Sequence, residues 1–463
     1  MTFNLTIIIL FDAILAVGAL FFTASARLGS SEISQKLFDF NTIVTAVIFV
    51  VIVLFSSHLM EVYDLGKNVK KREIVVNVLF GAVTSFSLLS VVYYLKPEIM
   101  LGRGILVLSL CCFALLQFCW HAIYLMGKNT ARFCRKVLVL GTGPLAAQVG
   151  SIIASNRRSF TLAGYASCHT GTDIYNPEDD PCDVPREEIL GNSDKLRDIA
   201  RQAQAAIIVV ALSERRGVFP LRDVLTCKLT GFEIMDAPSF YEAAQSKLML
   251  ESITPSWFIF SDGFHRTTIL SAIKRGVDIV LSCIGLLLTL PFFPLIAVAI
   301  KLDSPGPVFF RQERMGSWEK RFMLFKFRTM RQDAEKVTGA VWAEKNDPRV
   351  TKLGRFFRGS RIDEIPQLIN VLTGSMSFIG PRPERPEFVE KLKQVIPYYS
   401  QRHFIKPGLT GWAQVRYPYG ASVEDAVEKL RYDLYYIKNT GPFLDTLIFF
   451  ETIKVVLFGF GGR

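Results

Sequence analysis

The chain has 463 residues, enough for two or three domains that each bury a core, and half of those residues are apolar. Lysine and arginine (53) outnumber aspartate and glutamate (42), and the excess gathers beside apolar segments and between residues 301 and 361. That placement suits anionic headgroups and phosphorylated substrates and argues against a DNA groove, so no nucleic-acid partner is expected. Eight cysteines with no C-x-x-C pair give neither a zinc site nor a disulfide framework, and they fit a reducing, cytosolic face.

Four apolar runs, residues 5–26, 41–60, 74–95 and 105–126, are each long enough to cross a bilayer. No basic residue precedes the first, and three comparable runs follow it. It therefore reads as a retained span and not as a signal peptide. Lys67, Lys70, Lys71 and Arg72 follow the second run, and Lys128, Arg132, Arg135 and Lys136 follow the fourth. The other two loops carry only Arg27 with Lys36, and Lys96 with Arg103. The positive-inside rule then puts both ends of this four-helix transmembrane region, residues 1–130, in the cytoplasm.

Residues 131–262 read as a small α/β module. The segment KVLVLGTGPLA, from Lys136 to Ala146, is a buried-strand pattern running into a glycine turn and then a helix. Further strands are expected at 162–167, 205–210 and 232–235, so the alternation predicts a parallel sheet. The acidic, proline-rich stretch 175–188 reads as a surface loop. Gly141, Gly143 and Ala146 match G-x-G-x-x-A, a dinucleotide or phosphate signal. However, Cys168 and His169 stand where the acidic ribose-binding residue belongs. The expectation is a degenerate Rossmann-like module that binds no nicotinamide cofactor.

The third region runs from His265 to residue 463. Lys274 and Arg275 lead into an apolar run, 277–300, that ends at Lys301 and is interrupted by Pro291 and Pro294. Basic flanks at both ends favour a broken, re-entrant helix over 274–301 that returns to the same leaflet; a plain fifth span is the other reading. Asp278 would remain at headgroup depth or pair with a neighbouring base. The terminal stretch Pro442–Phe458 suits either an interfacial helix or a buried one. Trp412 and the aromatic run 398–404 serve core packing or membrane docking, packing being the simpler role.

The segment GRFFRGSRIDEIPQL, from Gly354 to Leu368, sets adjacent carboxylates behind closely spaced guanidinium groups. Phosphoryl transfer needs charge neutralisation on the diphosphate, a metal and an in-line nucleophile, and a carboxylate can be that nucleophile. Pro366 suits a first helical turn, so Asp363 or Glu364 would open a helix whose free amides favour phosphate. Taken alone, the same pattern is also an ordinary helix start with surface ion pairs.

Several motifs in order carry a resemblance. They are Lys274-Arg275 with Asp278 and the proline-broken helix; DSPGPVFFRQ from Asp303 to Gln312; FKFRTM from Phe325 to Met330; Asp363 to Gln367; Pro381-Arg382-Pro383; and KPGLTGWAQV from Lys406 to Val415. Region 265–463 resembles the catalytic domain of the monotopic phosphoglycosyl transferases, also called bacterial sugar transferases, and the whole chain resembles their long form. The resemblance implies an α-rich α/β catalytic domain that moves hexose 1-phosphate from a UDP-sugar, UDP-glucose or UDP-galactose, to undecaprenyl phosphate and releases UMP. This is the first membrane step of exopolysaccharide or O-antigen assembly. It implies Asp363 as the nucleophile that becomes an aspartyl phosphosugar, and Glu364 as the residue holding Mg2+. Arg358 matches a phosphate-site arginine, Arg382 would face the nucleotide, and Lys326 and Arg328 would be further phosphate contacts. Asp433 matches an acidic position of the family. Pro291 matches the helix hinge, although Leu290 stands where some members have serine. Further implications are contact with membrane lipids, a homodimer, and a bacterial inner-membrane location with the catalytic domain on the cytoplasmic face.

Two rivals stay open. One is a membrane-tethered, NAD-dependent nucleotide-sugar epimerase or dehydratase. Its Tyr-x-x-x-Lys pair occurs only at Tyr63/Lys67 and Tyr124/Lys128, upstream of the glycine turn. The other is a non-catalytic regulatory membrane protein, against which the intact Asp363, Glu364, Arg358 and Arg382 weigh.

Overall fold

A computed structural model describes residues 2–28, 40–63, 71–127, 134–156, 159–168, 182–212, 219–253, 255–264, 267–331, 347–418, 420 and 422–458. Lys36, Lys67, Lys70, Lys128, Arg132, His169, residues 175–181 and His265 lie outside the described residues. Two compact units divide at Ala244 and Gln245.

In the first unit the four expected spans are helices: α1 (Thr2–Leu28), α2 (Phe40–Leu59), α3 (Lys71–Leu95) and α4 (Arg103–Gly127). All four are long and apolar enough to cross a membrane. Ala16 and Ala19 of α1 are fully buried among Phe49, Val53, Leu89, Leu110 and Phe113, since small side chains let helices approach closely. Leu10, Ile14, Val17 and Phe21 on the same helix point outward. Asp12 is buried in the bundle, where its Oδ2 accepts from Gln117 Nε2 at 2.6 Å and lies 3.2 Å from His121 Nε2.

The same unit holds a five-stranded parallel sheet in the order β3-β2-β1-β4-β5. The strands are β1 (Arg135–Leu140), β2 (Phe160–Ser167), β3 (Ile189–Asn192), β4 (Ile207–Val210) and β5 (Glu233–Asp236). Helices α5 (Pro144–Ser155), α6 (Leu196–Gln202), α7 (Leu221–Leu229) and α8 (Ala237–Gln245) connect or follow them. β3 was not expected: four residues with glycine and asparagine at the sheet edge carry no strand periodicity. Gly141 is obligatory after β1, because its φ is +127° and a Cβ there would stand 2.5 Å from the Ala211 carbonyl oxygen.

The second unit begins before Asp262. Leu248 and Ile253 join its core with Val389, Leu392, Ile396, Leu430, Leu434 and Ile448. Trp412 is buried there, and its Nε1 donates to the Ser246 carbonyl at 2.8 Å. Helix α9 (Pro255–Phe260) precedes α10 (Thr268–Thr289), which is capped by the Thr267 side chain. A single 3-10 turn, Leu290–Phe292, breaks α10 from α11 (Phe293–Asp303). Pro291 and Pro294 are the second residues of the turn and of α11, within the first turn of each, where a missing N–H costs little. This 36-residue stretch is apolar enough to cross a membrane, and almost none of it is buried within the chain.

Its charged foot is tied down residue by residue. Lys274 Nζ donates to Tyr436 Oη at 3.0 Å and Asp445 Oδ2 at 2.6 Å. Arg275 donates to the carbonyls of Val371 and Leu372 at 2.6 and 2.7 Å, the bare end of α13 (Gln367–Thr373). Asp278 accepts from the Phe378 amide at 2.9 Å and the Ser377 hydroxyl at 3.1 Å. Asp278 thus bonds to strand β8 (Ser377–Ile379), and no base donates a hydrogen bond to it among the described residues.

The hairpin β6 (Phe309–Met315) and β7 (Arg321–Phe327) pairs antiparallel. α12 (Lys352–Ser360) precedes α13, and α14 (Pro386–Val395) follows β8. β9 (Gly408–Thr410) pairs parallel with β8, and α15 (Trp412–Arg416), α16 (Val423–Lys438) and α17 (Pro442–Phe458) complete the unit. The terminal helix α17 is a packed one, for Leu447 and Ile448 are in the core. Tyr399 of the aromatic run is likewise buried, while Phe404 stays half exposed against Trp318.

Candidate active site

Asp363 and Glu364 lie in a one-turn 3-10 segment, Ile362–Glu364, between α12 and α13. Arg361 enters it with φ 58°, a left-handed conformation that turns the chain sharply after α12. The helix itself opens later, with Pro366 as N-cap and Gln367 first. The carboxylates therefore precede the helix, and the amide of Glu364 is already bonded to the Arg361 carbonyl. The expected gift of free helical amides is not made here.

Glu364 is 8% exposed and ringed by cations. Its Oε1 accepts from Arg382 Nη2 at 2.7 Å and Lys326 Nζ at 3.1 Å, and Arg361 Nη1 lies 3.6 Å from Oε2. Burial pushes its pKa up, but Arg382, Lys326 and Arg361 outweigh burial and hold it far below the carboxylate range. Asp363, 6% exposed, takes part in no hydrogen bond or ion pair among the described residues. Burial raises its pKa, Glu364 adds to the rise, and Lys326, Arg382 and Arg358 oppose it. Burial also lowers the Lys326 ammonium, against the pull of Glu364.

Lys326 reaches this place because Asn370 of α13 mimics a strand edge. Its Oδ1 accepts from the Phe325 amide at 3.0 Å, and its Nδ2 donates to the Met323 carbonyl at 2.7 Å. Strand β7 is thereby locked to the helix that follows the carboxylates. Arg382 comes from the loop after β8, where Nη1 also donates to Gln414 Oε1 at 2.9 Å. Gly380 lets that loop cross β9 closely, because a Cβ there would stand 2.4 Å from the Lys406 carbonyl oxygen. Arg358 Nε donates to Thr329 Oγ1 at 3.0 Å.

The structure gathers Lys326, Asp363, Glu364 and Arg382, with Arg358 close enough to influence Asp363. Arg328 points elsewhere: it donates to the carbonyls of Pro305 and Ser304 at 3.0 and 2.5 Å, closing the end of α11. Asp433, 2% exposed, lies behind the site with its Oδ2 2.8 Å from Arg402 Nη2. Burial pushes Asp433 up to about 6 against the pull of Arg402. Pro291 lies at the helix break. Arg402 and Gln414 were missed as site residues. One is an arginine inside a run read for its aromatics, and the other lies within a loop motif read for its glycines.

No three His, Cys, Asp or Glu side chains converge on a common point among the described residues. The adjacent pair suits a hard cation such as Mg2+, which takes one or two carboxylates and leaves its other positions to water and phosphate oxygens. Glu364 would share its oxygens with Arg382 and Lys326 in that case.

Apolar helices long enough to cross a bilayer, and one unengaged buried carboxylate set among cations, together define a membrane-associated α/β protein with a charged, half-enclosed site. The family model described as bacterial sugar transferase matches residues 269–459. A UDP-N-acetylgalactosamine-undecaprenyl-phosphate N-acetylgalactosaminephosphotransferase of Aeromonas hydrophila is 49% identical over 191 residues, 41% of this chain and 45% of that protein. The undecaprenyl-phosphate glucose phosphotransferase of Komagataeibacter xylinus is 34% identical over 346 residues, 71% of this chain and 60% of that protein. An exopolysaccharide production protein of Rhizobium leguminosarum bv. phaseoli is 42% identical over 186 residues, 39% of this chain and 93% of that protein. The chain belongs to the bacterial sugar transferase family.

Proposed function

We propose that the chain transfers a hexose 1-phosphate from a UDP-sugar to undecaprenyl phosphate, through a covalent intermediate on Asp363, as the first membrane step of exopolysaccharide or O-antigen assembly. The observation that carries this reading is the unlike carboxylate pair: Glu364 is held by Arg382 and Lys326, while Asp363 beside it is buried and unengaged. A nucleophile needs a lone pair that no donor occupies, with cations near enough to meet the charge of an arriving phosphate.

In the first half-reaction a carboxylate oxygen of Asp363 attacks the phosphorus that bears the sugar. The bond from that phosphorus to the bridging oxygen breaks, and UMP leaves with the oxygen and its charge. In the second, a phosphate oxygen of undecaprenyl phosphate attacks the acyl phosphate. The bond to Asp363 breaks, its carboxylate is restored, and the lipid diphosphosugar departs. Arg358, Arg382 and Lys326 neutralise charge on the transferring group. A Mg2+ ion bound at Glu364 with diphosphate oxygens would add positive charge at the same place.

Helix break and basic flanks support a re-entrant anchor over 274–301, with the catalytic unit on the cytoplasmic face of the inner membrane. The parallel order of the five-stranded sheet and its glycine turn support a Rossmann-like module, and Cys168 at the end of β2 speaks against NAD. For the sugar, glucose and galactose are joined by N-acetylgalactosamine, which the Aeromonas relative's name carries.

A panel of these UDP-sugars, assayed for UMP release with Mg2+ and undecaprenyl phosphate, tests the reading. Without the lipid, intact mass should rise by one phosphosugar. UMP release with no mass increase would remove Asp363 from its role, and no UMP from any donor would end the proposal.

A further inference from the structure

Carbonyl by carbonyl, residues 381–384 are clamped from four directions. Pro381 accepts from the Gly408 amide at 2.9 Å, and Glu384 from the Met315 amide at 2.9 Å. Pro383 accepts from Arg314 Nη1 at 3.1 Å, and Arg382 from Arg402 Nη2 at 3.1 Å. The last clamp is unlike the others. Arg402 is only 6% exposed, and its Nη1 donates to Tyr399 Oη at 2.6 Å. Its counter-ion Asp433 is buried with it, 2.8 Å away.

A buried ion pair is a costly way to hold one carbonyl, since amides do the same at Pro381 and Glu384. What the guanidinium adds is a rigid planar fork that reaches a hydroxyl, a carbonyl and a carboxylate at once. The carbonyl it holds belongs to Arg382, whose side chain bonds Glu364 and Gln414.

We infer that Arg402 is a positioning residue for the transfer reaction: it fixes the main chain of Arg382, and Asp433 acts through Arg402 and not on the substrate. This rests on the function proposed above, in which Arg382 meets the donor diphosphate. Lysine at 402 keeps the charge beside Asp433 but loses the fork.

The test uses the full chain in lipid nanodiscs, with UMP release from the best UDP-sugar and hydrogen exchange at residues 381–384. R402K and D433N should each lower kcat/KM for the nucleotide sugar about ten- to hundredfold, the range for one charge-assisted bond, and leave KM for the lipid phosphate unchanged. The Arg382 and Glu384 amides should exchange faster in both variants. In an R382K background, adding R402K should cost less than threefold more, because the two residues act as one unit. Losses that multiply in the double variant, or exchange unchanged from wild type, would overturn the inference; if R402K fails to fold, D433N carries the same readings. A wild-type chain that releases no UMP would instead overturn the proposed function. Exchange at 381–384 in that same sample would still read whether Arg402 holds Arg382.

Discussion

Asp363 and Glu364 are neighbours in the chain and opposites in their electrostatics. Glu364 accepts from Arg382 at 2.7 Å and Lys326 at 3.1 Å, so it is ionised and occupied. Asp363 shares the same burial without a donor, and its pKa is raised by that burial. One carboxylate organises the cations; the other is left available to them.

The D363N variant separates chemistry from stability. A carboxyl whose folded pKa lies above its unfolded value of 3.8 weakens the fold once it is ionised, so stability falls as pH rises through that interval. Asparagine removes this cost. We expect D363N to melt at or above the wild-type temperature at pH 7, with the difference vanishing below about pH 4, while turnover and the phosphosugar adduct are both lost. Melting curves at two pH values and intact mass check both halves; a strongly destabilised D363N would contradict them.

Glu364 has the opposite sign. Its depressed pKa contributes stability that is present above the unfolded value of 4.5 and disappears as pH falls through the lower folded value. E364Q takes the Glu364 anion from the half-buried Lys326 and the partly exposed Arg382, so it should lose about 1.5–3 kcal/mol at pH 7, the range for hydrogen bonds to charged groups. Its acid-side decline should also be shallower than the wild type's. Thermal unfolding between pH 3 and pH 7 reads the slope, and parallel curves for the two proteins would count against the ion-pair account.

The spans were legible because some twenty consecutive apolar residues match the thickness of a bilayer core, and β1 because KVLVL runs straight into a glycine turn. The edge strand β3 has no comparable pattern. The carboxylates and their arginines were also visible, since they lie within ten residues of one another. The ring of cations was legible only through the family's motifs. Lys326 reaches Glu364 through a hairpin and two hydrogen bonds of Asn370, contacts that no local periodicity encodes. Arg328, two residues on, would share the Lys326 face if the strand continued, but β7 ends at Phe327 and the guanidinium turns to the end of α11. Asp433 was readable as an acidic position of the family, not as the buried counter-ion of an arginine in another segment.

Arg328 is accordingly expected to behave as a structural residue. R328M leaves the Ser304 and Pro305 carbonyls without their donor, a loss of roughly 2 kcal/mol or more. KM for the UDP-sugar in the fraction that remains folded should stay within about twofold of wild type, a margin well under the 1.4 kcal/mol that a tenfold change represents. A selective rise in KM at unchanged melting temperature would return Arg328 to the phosphate site.

Asp278 anchors α10 to β8 by accepting twice, from the Phe378 amide and the Ser377 hydroxyl. Asparagine keeps one accepting oxygen, whereas alanine keeps none. The expected order of melting temperature is wild type, then D278N, then D278A, with D278A less stable than wild type by about 1–3 kcal/mol from the unsatisfied amide. Equal melting of D278N and D278A would mean the carboxylate is not what holds the helix foot.

The proposed re-entrant topology rests on the break at Pro291. Between Thr268 and Asp303 the chain has 36 residues, about 54 Å if continuous, well over the thickness of a hydrocarbon core. In two helices joined at a 3-10 turn, it can instead enter and return, bringing Lys274 and Lys301 to one headgroup layer. Alanine at both Pro291 and Pro294 restores the missing N–H groups and lets α10 continue into α11. In a cysteine-free background, a reporter cysteine at Ser304 should react only from the cytoplasmic side in the wild type. In the double-alanine variant a measurable fraction should become accessible from the opposite side, with UMP release falling in proportion. Wild-type labelling from the periplasm would show that the helix spans, and would put the catalytic unit out of reach of a cytosolic donor.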